Sequence, residues 1–136
     1  MNQTMTIVFA IAIALFIMQS VGGYFQVKNY QQTLKKLHKM GNVGIGQKKG
    51  GLLSGHIVMI VCSNTGTILA TEVLDGISFN AKFKPKTSLL GEEYENKSIY
   101  SFLEKYRNLD TKKQKAHQGY IRALEALEMR LKKETQ

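Results

Sequence analysis

Cysteine, proline and tryptophan are almost missing from this 136-residue sequence, which has one Cys, one Pro and no Trp. Because Cys62 is the single cysteine, an internal disulfide and a fold held together by disulfides are excluded. Its isolation fits a reducing compartment. The three histidines, His38, His56 and His117, have no Cys or His near them at metal-ligand spacing, and we therefore expect no metal site.

Acidic side chains are also scarce. The chain has 10 Asp and Glu and 19 Lys and Arg, which gives a formal charge of +9. Such a chain can attract nucleic acid, acidic proteins or anionic lipid headgroups, and charge alone does not choose among them. The sequence has no recognisable helix-turn-helix, zinc module or RNA-binding aromatic signature. No base is indicated beside Cys62, and Glu92-Glu93 lies in a polar stretch, so we expect no catalytic residues, no cofactor and no enzymatic activity.

One long segment near the N-terminus lacks charge altogether. Between Met5 and Phe25 the only ionisable side chain is Tyr24, and Ile7–Met18 is an unbroken apolar run. About 20 residues of helix cross a bilayer core of about 30 Å, so the segment is long enough to span a membrane. The side chains that we assign to the transmembrane span include Ile7, Phe9, Ile11, Leu15, Phe16 and Ile17.

A cleaved secretory signal is the alternative for this segment, but no basic residue precedes its apolar core and no A-x-A-like site follows it. Positive charge accumulates on the cytoplasmic flank of a span. Residues 1–4 carry none, whereas Lys28 and Lys35 follow the span closely. We therefore predict a single-pass cell-membrane protein with its N-terminus outside and its folded part in the cytoplasm.

The segment after the span has the pattern of an amphipathic helix. Its apolar residues recur at spacings of three and four, at Val27, Tyr30, Leu34 and Leu37. We predict that the membrane helix continues as a stalk and that Gly41, in a left-handed conformation, ends it.

The stretch that follows, "GNVGIGQKKGG", is rich in glycine. It is not a phosphate-binding loop, because its lysines precede Gly50, no Ser or Thr follows them, and the predicted helix lies before it. We predict a turn between the stalk and a small sheet, which needs glycine for close backbone approach or for positive φ. The turn residues are Gly41, Gly44, Gly46, Gly50 and, before a later strand, Gly76.

Three segments have the composition of strands: His56–Cys62, Thr67–Leu74 and Ile77–Phe83. Ser63–Gly66 carries turn residues between the first two, and Asp75-Gly76 suits a tight connection to the third. These features predict an antiparallel meander that ends at Pro85, the only proline.

Helical spacing returns near the C-terminus in two stripes, Ile99, Phe102, Leu103 and Tyr106, then Tyr120, Ala123, Leu124, Leu127 and Leu131. We predict two helices separated near Asn108, with Asp110 capping the second. Residues 87–98 fit either a loop or a short helix. The predicted α+β organisation is an anchor at 1–26, a stalk helix at 27–41, a glycine-rich turn and small antiparallel sheet at 42–86, and a loop with C-terminal helices at 87–136.

Six lysines near the predicted membrane exit form a basic patch: Lys28, Lys35, Lys36, Lys39, Lys48 and Lys49. Attraction to an anionic inner leaflet, about 1 kcal/mol for each well-placed charge, explains these lysines without nucleic acid. The C-terminal lysines and arginines alternate with glutamates, as on an exposed helix face.

The apolar span, "GGYFQVKNYQQTL", "GNVGIGQ", the predicted β pair and "DGISFNAKF" together resemble the glucitol operon activator (GutM) family. The resemblance covers roughly residues 1–86 and weakens after Pro85. It implies a positive regulator of operons for sorbitol (glucitol) uptake through the phosphotransferase system, found beside the transporter and a DNA-binding regulator.

A membrane-tethered chain without a DNA-reading motif is better suited to contact a protein than to read an operator. We therefore expect an accessory transcriptional activator that contacts a transcription regulator or a phosphotransferase transporter subunit. The alternative is a direct DNA-binding activator that uses the basic cytoplasmic domain, and its binding would depend steeply on salt.

Overall fold

The computed structural model describes residues 2–48, 55–75 and 82–134. Within these ranges the chain is an α+β protein, as the sequence predicts. The elements in chain order are α1 (Gln3–His38), β1 (Asn42–Lys48), β2 (His56–Cys62), β3 (Ile68–Asp75), β4 (Lys84–Lys86), β5 (Ser88–Leu89), β6 (Glu92–Glu93), α2 (Ile99–Arg107), α3 (Thr111–Ala116) and α4 (Gln118–Glu134).

Helix α1 is a single helix of 36 residues whose two parts have different surroundings. It begins at a side-chain cap, where Asn2 Oδ1 accepts a hydrogen bond of 2.9 Å from the Met5 N–H. The stretch Gln3–Val21 is apolar and none of it is buried. Near the other end Leu37 is fully buried, so the predicted apolar helix and stalk are confirmed as one continuous element.

The way α1 ends differs from the prediction. The helix stops at His38, and the N–H groups of Met40 and Gly41 both bond to the Leu37 carbonyl. Gly41 does not have the positive φ that a left-handed terminus requires, so that prediction was wrong. Glycine is needed there for space, because a Cβ at Gly41 would lie 2.6 Å from the Cys62 carbonyl oxygen.

Strands β1 to β4 form one antiparallel sheet in the order β1-β2-β3-β4. Residues Asn42–Lys48 of the glycine-rich stretch, predicted as a turn, form the edge strand β1, in which Gly44 pairs with Ile60 and Gly46 with Val58. Glycine normally weakens a strand and mimics a turn in sequence patterns. Gly50 and Lys49 lie outside the described residues.

A further strand, β4, follows the segment that the sequence predicts as the third strand of the meander. Residues 76–81, which include Gly76 and most of the expected strand Ile77–Phe83, lie outside the described residues, and Phe83 itself has no strand pairing. Strand β4 instead places Pro85 opposite Glu72, inside a strand rather than after it. An edge strand tolerates proline because the N–H that proline lacks can face away from the ladder.

The stretch that fitted either a loop or a short helix is a small β-hairpin. Strands β5 and β6 are joined by Leu90 (φ 51°) and Gly91 (φ 74°). Two consecutive residues with positive φ are typical of a type I′ turn.

Three C-terminal helices replace the two that were predicted. Asp110 caps α3, as expected, and its carboxylate accepts a hydrogen bond of 2.8 Å from the Lys113 N–H. His117 (φ −104°, ψ 23°) then leaves the helical conformation, which separates α3 from α4. Both predicted apolar stripes are buried.

The sheet separates two apolar clusters. The larger cluster joins α2 and α4 to residues such as Val58, Ile60 and Val73. The smaller cluster joins the end of α1 to the opposite face through Leu37, Val43, Met59 and Val61. The domain therefore has three layers, with α1 on one face of the sheet and α2 and α4 on the other.

Candidate functional site

The contacts of α1 define two ends of the sheet. Near its end, Leu37 packs with Val43 and Val61, where β1 begins and β2 ends. Two turns earlier, Asn29 Oδ1 accepts a hydrogen bond of 3.1 Å from the Phe83 N–H. The rings of Tyr30 and Phe83 are also 5.9 Å apart. Helix α1 therefore runs antiparallel to β1 across the sheet.

We call the end of the sheet that lies nearer to the apolar part of α1 the proximal end, and the opposite end the distal end. Lys48, His56, Asp75 and Phe83 mark the proximal end. Asn42, Cys62 and Ile68 mark the distal end.

The side chains that the sequence assigned to a span are all exposed in the structure. Ile7, Phe9, Ile11, Leu15, Phe16 and Ile17 are between 54% and 70% exposed. The stretch Gln3–Val21 has the length and composition to cross a membrane, and no part of the described domain covers it. A large exposed apolar surface of this kind marks contact with lipid or with another protein.

The structure divides the predicted basic patch. Lys28 precedes Asn29 and Lys48 ends β1, so both belong to the proximal end, whereas Lys35 and Lys39 lie towards the distal end of α1. Lys49 is outside the described residues. Lys82 and Lys84, which the sequence analysis did not assign to the patch, flank Phe83 and are exposed. The contact between α1 and Phe83, which the sequence pattern does not show, places Lys82 and Lys84 at the proximal end.

Lys36 has a role inside the fold. Its Nζ lies 3.2 Å from Oε1 of Glu72, whose side chain is 7% exposed. An uncompensated buried carboxylate is costly, so this ion pair compensates Glu72 and joins α1 to β3.

Helix α4 lies unusually close to β1. A Cβ at Gly44 would overlap the carbonyl oxygen of Ala123, and one at Gly46 would overlap that of Gly119. The predicted role of these glycines in close backbone approach is therefore seen in the structure, although the approach is between a helix and a strand. The Gly119 N–H also donates a hydrogen bond of 3.2 Å to His56 Nε2.

His56 therefore supplies an acceptor to one of the N–H groups at the start of α4 that have no partner within the helix. The pKa of His56 is lowered mainly by partial burial. The negative charge of Asp75 acts in the opposite direction, and the positive groups Lys48, His117 and Lys86 lower the pKa further. An acceptor nitrogen must be unprotonated, so the hydrogen bond and the lowered pKa both indicate a neutral imidazole.

Several aromatic and titratable groups surround His56. The ring of Tyr120 is 5.5 Å from the His56 ring, and its hydroxyl accepts a hydrogen bond of 2.8 Å from Lys86 Nζ. This bond raises the pKa of Lys86, while burial lowers the pKa of His117 and raises that of Tyr106. In the described ranges no three His, Cys, Asp or Glu side chains are arranged to hold a metal ion.

The distal end carries an apolar and acidic surface that the sequence did not predict. A cavity of about 370 Å³ is lined by Ile68, Leu69, Thr87, Glu93, Tyr94 and Glu95. Leu69 is 42% exposed because a bulge in the pairing of β2 with β3 leaves it without a partner residue. Met40 and Tyr100 are also exposed, and Tyr100 lies near the turn at Gly66. Sequence periodicity could not reveal the bulge.

These features define a class of protein: a small α+β domain carried by one long, partly uncovered apolar helix, with exposed surfaces suited to binding. The chain belongs to the glucitol operon activator protein (GutM) family, whose family model matches residues 7–118. No curated protein and no solved structure matches the chain.

The family match extends further than the sequence resemblance suggested. It continues past Pro85 through β5, β6, α2 and α3, and it ends at the first residue of α4. Membership implies the role of a glucitol operon activator, and the family is one of regulatory activators rather than enzymes.

Proposed function

We propose that the protein is a membrane-anchored accessory activator of a glucitol (sorbitol) utilisation operon of the phosphotransferase system. It acts by binding a transcription regulator or a transporter subunit. One observation carries the anchoring: α1 leaves Gln3–Val21 uncovered, while its other end is packed into the domain. Apolar surface left in water is unfavourable, and a bilayer removes it from water.

Charge supports an orientation with the N-terminus outside and the domain in the cytoplasm. Lys28, Lys35 and Lys39 follow the apolar stretch, and residues 1–4 have no Lys or Arg. A cytoplasmic excess of positive charge close to a span is the usual arrangement.

The distal end supports a protein partner. Leu69 and Tyr100 are 42% and 45% exposed, and large apolar and aromatic side chains of this kind are the usual anchors of interfaces. In the described part of the chain Glu93 and Glu95 have no ion-pair partner, so their carboxylates can meet basic groups of another protein.

Anchoring is tested in cells by a double substitution, Leu15→Lys with Phe16→Lys, in the full chain. We expect the protein to leave the membrane fraction and activation of a glucitol-operon reporter to fall, because central lysines oppose insertion. Met129→Lys, at a residue that is 62% exposed on α4, is the control. Full activation by a protein found only in the soluble fraction would contradict the proposal.

The partner is tested by affinity purification of the full chain from detergent-solubilised membranes, followed by mass spectrometry. We expect to recover a phosphotransferase component or a transcription regulator, and to lose most of it with Leu69→Ser plus Tyr100→Ser. Met129→Ser should leave recovery unchanged. Equal recovery by both variants would remove the distal end from the proposal, and recovery of neither kind of protein would contradict the mechanism.

Direct DNA binding remains the second candidate because the chain has a formal charge of +9. Tight operator binding by the full chain, with affinity falling steeply as salt rises, would favour it over protein contact. Binding that ignores sequence would reject it.

A further inference from the structure

Four lysines are brought to the proximal end by the fold: Lys28, Lys48, Lys82 and Lys84. Lys28, Lys48 and the pair Lys82 and Lys84 are far apart in the sequence. The hydrogen bond between Asn29 and Phe83 brings Lys28 to the level of Lys82 and Lys84. Strand pairing places Lys48 at the same end of the sheet. Lys28 precedes Asn29, and the residues on either side of Phe83 are Lys82 and Lys84.

The height of these lysines above the apolar part of α1 follows from helix geometry. At 1.5 Å per residue, Asn29 lies about 12 Å beyond Val21, and Lys35 lies about 21 Å beyond it. A headgroup layer is about 5 to 8 Å thick on each side of the hydrocarbon core. The level of Asn29 is therefore a few ångströms above the headgroups, within a Debye length of about 8 Å. Lys35 and Lys39 are beyond it.

Charge at the proximal end is predominantly positive. Lys28, Lys82 and Lys84 are exposed and Lys48 is half-buried. Asp75, at the end of β3, contributes one carboxylate there, whereas Glu72 is buried and already paired with Lys36.

We propose that Lys28, Lys48, Lys82 and Lys84 form a lipid-binding surface, the basic collar, which contacts anionic phospholipid headgroups where α1 leaves the bilayer. The collar rests on the proposed membrane anchoring. The basic collar fixes the orientation of the domain relative to the membrane, with the proximal end on the lipid and the distal cavity facing away from the lipid. Lys35 and Lys39, both in the predicted basic patch, take no part.

The collar is tested with the full chain in lipid nanodiscs, made either of phosphatidylcholine alone or of phosphatidylcholine with one third phosphatidylglycerol. A water-soluble acylating reagent labels exposed lysines, and mass spectrometry measures the rate at each position. We expect acylation of all four collar lysines, Lys28, Lys48, Lys82 and Lys84, to slow at least threefold in the anionic discs. Lys35 and Lys39 should react equally in both, and 0.5 M salt should remove most of the protection.

Two double variants with the same change in charge complete the test. Lys82→Glu with Lys84→Glu should abolish the lipid-dependent protection of Lys28 and Lys48. Lys35→Glu with Lys39→Glu should leave it intact. All four positions are exposed, so neither variant disturbs the core.

The contradicting outcomes are distinct. A chain that does not enter the discs would overturn both the anchoring and the collar. A chain that enters them but shows equal acylation in the two lipids would overturn the collar alone. Protection of the same lysines by added DNA in neutral discs, and not by anionic lipid, would assign the surface to nucleic acid and overturn the collar as well.

Discussion

At the scale of single residues, glycine determines how closely α4 approaches β1. Gly44 faces the Ala123 carbonyl and the Leu127 side chain, and Gly46 faces the Gly119 carbonyl. Backbone atoms cannot move aside as a flexible side chain can. The absence of a Cβ at these positions is therefore a packing requirement, although in the sequence it mimics a turn.

Gly44→Val should destabilise the domain by about 2 to 4 kcal/mol, because the new side chain overlaps α4 and forces it away from the sheet. Thermal unfolding of the full chain in mild detergent, followed by circular dichroism, measures the effect. Gln47→Ala, at an exposed position of the same strand, should change the stability by less than about 0.5 kcal/mol. Similar unfolding temperatures for both variants would show that α4 can shift without cost.

His56 should make the stability depend on pH. Its pKa is lowered in the folded state, chiefly by burial, whereas in the unfolded chain it has the ordinary value of 6.5. As pH falls below about 6.5, the unfolded chain therefore binds the proton first, and folding loses the corresponding free energy. The contribution is fully present above that pH and declines below it.

We expect the unfolding temperature to decrease from pH 7.5 to pH 5 and the decrease to be smaller in His56→Gln. Glutamine retains an acceptor for the Gly119 N–H and does not titrate. His117, whose pKa is also lowered, should leave a residual slope. His38→Gln, at the exposed end of α1, is the matched control. Identical slopes in the original chain and in His56→Gln would refute the assignment.

At the scale of elements, α1 is attached to the sheet by apolar packing and by the pair of Lys36 with Glu72. The lysine is well exposed and the glutamate is buried, so the two partners are not equivalent. Removing the lysine leaves a carboxylate without compensation, whereas removing both charges does not.

Lys36→Met should therefore cost about 1 to 2 kcal/mol, a value reduced from that of a fully buried pair because solvent screens Lys36. Adding Glu72→Gln should restore part of the loss, and Lys35→Met should have almost no effect. Urea unfolding in detergent of the original chain, the single variants Lys36→Met and Glu72→Gln and the double variant gives the coupling energy, and Lys35→Met is the control. A coupling near zero would show that packing alone holds α1.

Element types with strong periodicity could be predicted from the sequence. Tyr30, Leu34 and Leu37 of the predicted stripe pack on the sheet, whereas Val27, its first member, is exposed. The strand His56–Cys62 and the cap at Asp110 are found as expected. Strand β1 could not be predicted, because its glycines are required by the close packing of α4, which lies more than 70 residues further along the chain. The division of the lysines between two ends and the exposure of Leu69 depend equally on tertiary contacts.

At the scale of the whole molecule, the two ends of the sheet offer different surfaces. The proximal end presents lysines beside the apolar part of α1, and the distal end presents Leu69, Glu93 and Glu95. This difference between the two ends agrees with the proposal that the protein contacts lipid at one end and a partner protein at the other.

The proposed orientation predicts which cysteines a membrane-impermeant thiol reagent can reach in intact cells. Asn2→Cys should be labelled without permeabilisation, because the N-terminus is expected outside. Lys112→Cys, at an exposed position of α3, should be labelled only after the membrane is opened. Cys62 is buried and should not contribute. The reverse pattern would invert the topology.

Because α1 is one unbroken helix, a tilt of its apolar part also moves its far end. From Val21 to His38 the helix is about 25 Å long at 1.5 Å per residue. A tilt of about 20°, ordinary for a single span, would swing its far end sideways by about 9 Å. A bilayer thinner than the apolar stretch favours tilting. A change in bilayer thickness would therefore move a partner docked at the far end of α1, so the membrane would do more than hold the protein in place.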